Sequence, residues 1–390
     1  MGQHATADVV VIGGGITGCA AIHFLARDGV DAILVERGDL NAAASGRNAG
    51  GLHGQIQHEP FFELGEAWAR EFAPSLRLMR DSTALWRQLD DELDGRLEVD
   101  LAGGVIVASD TAQLGGLARK AAIEHEFGND VQLLDADELH GRAPYVAAGM
   151  AGGLLCPTEG KANPLAAAAA LAGSARRNGA VIRLHTEVVG IEALPNGFRL
   201  ATTAGPIECE RVVVCAGVES GAVTRLLGID LPLEAHPIQL SVTAAVPPVV
   251  RHLVYFAGGR LTLKQTRRGT VLVGGGWPAE RDARTGELRV SARSLEANVR
   301  QALEVVPALR AVPVVRAWTG VCPGTPDHRP LLGEVLPGFV VAVFPFLGFT
   351  CGPVLGQLAA ELAVGRRPAL DLSPFEPGRS TPTPPAREPG

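Results

Sequence analysis

Three glycines raise the first chemical question. Gly13, Gly15 and Gly18 form a GxGxxG turn between an apolar run at residues 9–12 and a helical segment at residues 16–28. The first glycine permits the tight turn, the second lets a diphosphate approach the backbone, and the third lets helix pack on strand. The free N–H groups at the helix start favour an anion there. Glu36 ends a second apolar run, residues 32–35, about 20 residues further on, where its carboxylate can accept from ribose hydroxyls. This pattern reads as a dinucleotide site, and an acid at Glu36 disfavours a 2′-phosphate.

A second glycine-rich turn follows at once in "RGDLNAAASGRNAGGLHGQIQ". It contains Ser45, Gly46, Arg47, Asn48, Gly50 and Gly51. A nicotinamide cofactor rarely needs another such loop here, whereas an extended flavin dinucleotide runs on past it toward its ring. Arg47 or the loop N–H groups could meet the diphosphate, and Asn48 to Gly51 could lie against the ring. The alternative is a solvated loop of small residues.

These residues need a sheet to hold them. Apolar strands near residues 10, 33, 182, 213 and 342 read as one parallel sheet. Helices are expected at 63–93 with a break near Pro74, at 111–127, from Asn163–Pro164 onward, at 291–306 and at 352–364. Residues 233–276 are β-rich, and residues 187–208 read as a small meander. The expected organisation is α/β: a discontinuous Rossmann-like domain at 1–95, 151–230 and 317–378, with an inserted β-rich α+β substrate domain at 96–150 and 231–316. The Pro-rich segment 379–390 reads as a disordered tail.

The balance of residues removes several classes. A net charge of -7 argues against nucleic acid as partner. None of the six cysteines forms a CxxC pair, which fits reduced thiols in a cytoplasmic protein and no metal site. Cys209 and Cys215 read as lying on one hairpin. The apolar stretch 338–356 is broken by glycine and proline, so a strand, turn and helix are expected rather than a membrane span.

"GGGITGCAAIHFLARDG", "LVERGD" and "AASGRNAGG" together resemble the D-amino-acid oxidase/sarcosine oxidase superfamily of FAD-dependent oxidoreductases. "EGKANPLAAAAALAGSARRNGAVI", "RVVVCAGVES", "WTGVCPGTPDHRPLLGEV" and "FPFLGFTCGPVLGQLAAELAVG" agree in order, so the resemblance spans residues 7–378. It is closest to β-subunits of sarcosine-, proline- or opine-type dehydrogenases. It implies non-covalent FAD, with Arg37 beside Glu36, Val188 at the adenine, and Gly217 and Gly320 along the cofactor. Gly348, Phe349 and Thr350 would precede a helix whose dipole stabilises negative charge on the reduced flavin.

The resemblance also implies an activity: hydride leaves the carbon beside a neutral amine for flavin N5, and water hydrolyses the imine. The substrate would be a small amino acid or secondary amine such as sarcosine, proline, hydroxyproline or an opine. Against the family pattern, the arginine that clamps a substrate carboxylate is replaced by Cys322, and the lysine after "GF" by Thr350. The lysine that assists oxygen falls at Leu272, which favours a dehydrogenase handing electrons to another protein or a quinone. His53, Lys264, Arg316 and Thr350 are the substrate-side candidates. Two other readings stand beside this one: an FAD-carrying subunit of a heteromeric dehydrogenase, and an NAD-dependent dehydrogenase.

Overall fold

The computed structural model describes residues 5–379. Its first sheet runs, in spatial order, Leu331–Leu336, Phe339–Val343, Ile207–Val214, Ala5–Ile12, Ala32–Val35 and Val181–Arg183. The last five are parallel, and Leu331–Leu336 returns antiparallel at the edge. Numbered along the chain, the parallel strands stand in the order 3-2-1-4-5, the doubly wound arrangement. Its switch point lies between Ala5–Ile12 and Ile207–Val214, where ligands enter at the carboxyl ends of the strands.

The apolar strands are continuous because both faces are covered. Ala32–Val35 and Phe339–Val343 are buried throughout. On one face the helix Ile16–Arg27 packs between Gly348–Ala363 and Ala167–Arg177. A Cβ on Gly352 would come within 2.5 Å of Ile16, and one on Gly356 within 2.6 Å of Ala20. These two glycines therefore set how closely the first and last helices approach. The other face carries the antiparallel meander Val188–Leu194 and Gly197–Thr202, which joins Ile207–Val214.

The second sheet has eight strands, in the order Val314–Gly324, Glu234–Ala245, Thr270–Gly274, Thr262–Gln265, Leu253–Phe256, Gly104–Ala108, Gly152–Cys156 and Gln132–Asp135. All neighbours are antiparallel except Leu253–Phe256 and Gly104–Ala108. One face covers an apolar core with the helix Ala292–Val305.

Several expectations move. Gly152–Cys156 and Val314–Gly324 pair into the second sheet, not with the nucleotide segments 151–230 and 317–378. Gly152–Cys156 is buried throughout, between Gly104–Ala108 and Gln132–Asp135. Cys209 and Cys215 do not share a hairpin: Cys209 lies within the single strand Ile207–Val214 and Cys215 follows it. The helix after Asn163–Pro164 begins at Ala167, because Asn163 first closes a turn onto Leu165 N. The last helix begins at Gly348, four residues before the expected start, and takes Pro353 into its interior. Arg379 is not part of a disordered tail. Its guanidinium grips Asp327, which is 5% exposed. The remaining tail expectation, at 380–390, lies outside the described residues. Among the described residues no helix is long and apolar enough to cross a membrane.

Candidate active site

The first glycine turn sits at the switch point. Gly13 has φ +113°, and a Cβ there would lie 2.6 Å from the Cys215 carbonyl oxygen. A Cβ on Gly18 would lie 1.9 Å from the Gly13 carbonyl oxygen, so helix and turn meet backbone to backbone. Gly15 is the N-cap of the helix, whose first turn carries no acidic side chain. That leaves the helix start without a competing negative charge, which favours an anion there.

Glu36 accepts from Gly14 N at 2.7 Å and Gly38 N at 2.8 Å. The Glu36 backbone pairs with Arg183 and Thr186, which brings the segment leading to Val188 to the same end of the sheet. Arg37 stands outward and meets Glu219 at 3.4 Å, next to Gly217 at φ +58°. These residues fit an adenosine diphosphate: a backbone cradle, an anion-seeking helix start and a carboxylate with lone pairs to spare.

The second loop is bound to the first. Ser45 Oγ accepts from Ile16 N at 3.0 Å. Asn48 ties off the short helix Ala44–Arg47 by donating to the Ala44 carbonyl and accepting from Gly50 N. Arg47 does not extend into free space; it donates to the Ala42 and Thr319 carbonyls. Its own carbonyl accepts from Trp318 Nε1 at 2.8 Å. Gly320 lies against the Arg47 side chain, with a would-be Cβ 3.5 Å from the arginine Cβ. Gly50 has φ +79°, and a Cβ there would strike the Ala162 carbonyl at 2.3 Å.

Between this loop and the second sheet lies a cavity of about 870 Å³. Its sheet wall is set by register. Lys264 pairs with Leu272, Leu272 with Val242, and Val242 with Arg316, so four strands present one row, all of it lining the cavity. Leu272 stands where the family's lysine was expected, and Lys264 is its direct cross-strand neighbour. A lysine thus stands one strand away from the position read as lacking it. The cavity is cationic, with Arg47, Lys161, Lys264, Arg267, Arg268 and Arg316 against Glu98. Lys264 is buried, and burial followed by the nearby Lys161 holds its ammonium pKa well below the usual lysine range. A carboxylate entering the cavity reverses that shift. Arg316 is exposed, with its guanidinium 5.7 Å from the centre of the Trp318 ring.

His53 and Lys264 converge on Gly51. A Cβ on Gly51 would lie 2.7 Å from His53 Nε2 and 3.2 Å from Lys264 Nζ. Thr350 does not reach into the cavity. It is fully buried, donates its hydroxyl proton to the Gly51 carbonyl and accepts from His53 N, both at 3.1 Å. Its own carbonyl is held by Ser82 Oγ and Trp86 Nε1. Phe349 points into the core, its ring 5.0 Å from that of Trp86, so only its backbone faces the helix start. Gly348 has open space where a Cβ would be. Cys322 pairs with His236 across the ladder, and burial pushes its thiol up to about 12.

Two residues that the sequence does not single out stand behind His53. Tyr255 bonds to His53 Nδ1 at 2.7 Å and donates to Glu159 at 3.0 Å. Desolvation, only partly offset by bonds from Gly54, Gln55 and Tyr255, raises the Glu159 carboxyl to about 7.

The FAD dependent oxidoreductase family model matches residues 8–362. The glycine oxidase of Geobacillus kaustophilus (strain HTA426) is 27% identical over 376 residues, covering 94% of this chain and 96% of its own length. The beta chain of the sarcosine oxidase of Rhizobium meliloti (strain 1021) is 26% identical, covering 95% and 89%. The crystal structure of the Geobacillus glycine oxidase superposes with a TM-score of 0.84 at 27% identity, covering 97% of this chain and 100% of the other. That of L-proline dehydrogenase from P.horikoshii gives 0.86 at 24%, covering 96% and 98%. By this cradle and these likenesses, the chain belongs to the FAD-dependent oxidoreductase family.

Proposed function

We propose that the chain oxidises the C–N bond of a small amino acid or secondary amine of the glycine, sarcosine, proline or opine type. The observation that carries this reading is the cavity-lining row that has Lys264 at one end and Arg316 at the other, across the cavity from residues 46–49 of the second loop. Bound FAD would supply the hydride acceptor. Ser45 and the Ile16–Arg27 helix start would hold its diphosphate, and Gly50 and Gly51 would leave room for its ring. Lys264 and Arg316 would orient a substrate carboxylate, replacing the clamp missing at Cys322. We read the flavin as non-covalent and the enzyme as cytoplasmic, in keeping with unactivated thiols, five of them buried and Cys322 half-buried with its pKa raised by desolvation. The named activities of glycine oxidase, sarcosine oxidase and opine oxidase relatives support the substrate class.

The test is anaerobic. The FAD-loaded protein is mixed with amino acids and N-alkylated amines, and bleaching of the flavin band identifies a substrate. Readmitted air then separates oxidase from dehydrogenase by the rate at which colour returns. Leu272 no longer gives a reason to expect slow reaction with oxygen, since Lys264 stands beside it. A flavin that no compound bleaches would overturn the lone-enzyme reading for those classes. The second reading, one subunit of a heteromeric dehydrogenase, is favoured by the relatives named as single subunits of a sarcosine oxidase and of an opine oxidase. Activity restored by an added partner would then support it, and full dye-linked activity of the chain alone would sink it.

A further inference from the structure

His53 is backed by buried polar groups that neither the cofactor cradle nor the cavity wall uses. Glu159 is fully buried. One carboxylate oxygen accepts from Gly54 N at 2.6 Å and Tyr255 O–H at 3.0 Å, and the other from Gln55 Nε2 at 3.0 Å. Every partner is a donor, which is the environment of a carboxylate. Tyr255 has one proton to give and gives it to Glu159. Its oxygen must therefore accept the 2.7 Å bond from His53 Nδ1. This bond order fixes the Nδ1–H tautomer and leaves a lone pair on Nε2. Nε2 is the atom that faces Gly51 beside Lys264 Nζ.

We propose that His53, Tyr255 and Glu159 form a relay that takes the proton from the substrate's ammonium group before hydride leaves, with Glu159 as the proton store. The proposal rests on the amine-oxidising reading above. The ammonium N–H bond breaks as its proton joins His53 Nε2. The Nδ1 proton passes to the Tyr255 oxygen, and the Tyr255 proton passes to Glu159. The amine is left neutral with its lone pair free, the imidazole ends neutral in the opposite tautomer, and Glu159 ends as a neutral acid. Charge is conserved: one cation and one carboxylate disappear together.

The relay answers a difficulty that His53 alone cannot. Burial, then Lys264, push its imidazolium pKa down to about 3, so the ring cannot hold a second proton. Handing a proton on while receiving one avoids the imidazolium altogether. Glu159 is raised to about 7 and so accepts a proton readily near neutral pH. The charged and titratable groups around the path are Lys264 at His53, His58 against the Tyr255 ring, and Cys156 and Lys120 near Glu159, with Lys120 paired to Glu124. Below about pH 7 Glu159 already holds a proton and the relay is blocked, so flavin reduction should speed up as pH rises through that value.

Two measurements test this on the FAD-loaded protein. The first is the 15N spectrum of histidine-labelled protein without substrate, with His53 assigned by the signals lost in His53→Asn. The relay requires a protonated Nδ1 and a bare Nε2, and loss of that preference in Tyr255→Phe. The second is the anaerobic reduction rate against pH, using the compound that bleaches the flavin best. Tyr255→Phe and Glu159→Gln should each lose about 10²-fold at pH 7. They should also lose the rise near pH 7, leaving only the rise set by the amine itself. If Glu159→Gln fails to load flavin, Tyr255→Phe, which removes a single oxygen, carries the test. A protonated Nε2 in the unsubstituted protein, or an unchanged pH profile in Tyr255→Phe, overturns the relay. The tautomer is read without substrate, so a panel that bleaches nothing counts against the amine reading alone, and a wrong tautomer against the relay alone.

Discussion

The two ends of the cleft use different means. The dinucleotide end is built almost wholly from backbone: close glycine contacts, a helix start without acidic side chains, and one carboxylate that braces the Gly14 and Gly38 N–H groups and keeps lone pairs for the cofactor. The end beside the second sheet is built from ionisable side chains in buried or cationic surroundings: Lys264, His53, Tyr255 and Glu159. Backbone cradles tolerate almost no added volume, whereas side-chain chemistry can be changed without moving the chain. Substitutions at the first end should therefore cost the cofactor, and those at the second should spare the cofactor and cost the reaction.

The largest effect is expected at Gly18. Gly18→Ala sets a methyl group 1.9 Å from the Gly13 carbonyl oxygen. The obstacle is backbone, so relief means moving the helix start that receives the diphosphate, at the upper end of the roughly 1–3 kcal/mol cost of overpacking or beyond it. The protein should purify colourless. The flavin-to-protein absorbance ratio measures this, and a fully yellow variant would break the distinction between the two ends.

Lys264→Met should do the reverse. Its length is kept and its charge removed, so flavin content should stay normal. The substrate concentration needed for half-maximal flavin reduction should rise about 10–100-fold, the value of a charge-assisted bond of roughly 2 kcal/mol. Arg316→Met, at an exposed position, should raise it only about fivefold or less. Equal effects at the two positions would mean that the carboxylate sits over the middle of the row rather than near Gly51.

Thr350 tests whether the two ends are mechanically joined. Its hydroxyl ties the Gly51 carbonyl to His53 N from the first turn of the last helix. Thr350→Val leaves both buried backbone groups without that partner, at about 2 kcal/mol. Thermal unfolding should begin several degrees lower while the flavin stays bound.

How much of this could be read from sequence follows the same divide. Gly13, Gly15, Gly18 and Glu36 were legible because the cradle is local: strand, turn, helix and strand lie within one short βαβ unit. The inner parallel strands were legible because strands buried on both faces are continuously apolar, and Val181–Arg183, an edge strand with Val181 exposed, was legible from its place after the helix that precedes it. The boundary at residue 151 put Gly152–Cys156 with the nucleotide domain, whereas it pairs with Gly104–Ala108 in the second sheet, because a strand carries no mark of a partner that lies far off in the chain. The row Lys264, Leu272, Val242 and Arg316 was hidden because it exists only in the register of four strands, of which only the Lys264 and Leu272 arms are close in sequence. Leu272 and Lys264 are neighbours across a hairpin, so a motif match falls easily on the wrong arm of it. Glu159 and Tyr255 left no pattern, because a relay built from three distant segments has no spacing to recognise. The last helix was placed late because Pro353 looks like a first-turn residue, whereas packing of Gly352 and Gly356 on the first helix carries the helix through it.

The smallest effect is expected where the two loops of the dinucleotide end meet. Ser45 Oγ accepts from Ile16 N at 3.0 Å, and Gly15 faces the same oxygen, where a Cβ would lie 3.0 Å away. Ser45→Ala removes this tie but adds no volume, and Ile16 N can turn to water or to the diphosphate itself. The loss should be about 1 kcal/mol, a weakening of FAD binding by roughly fivefold. Reconstitution of flavin-free protein, followed by fluorescence quenching, reads that difference. A loss as large as that of Gly18→Ala would make the hydroxyl a principal anchor of the cofactor. The dinucleotide end would then depend on side-chain chemistry as much as the end that holds Lys264 and His53.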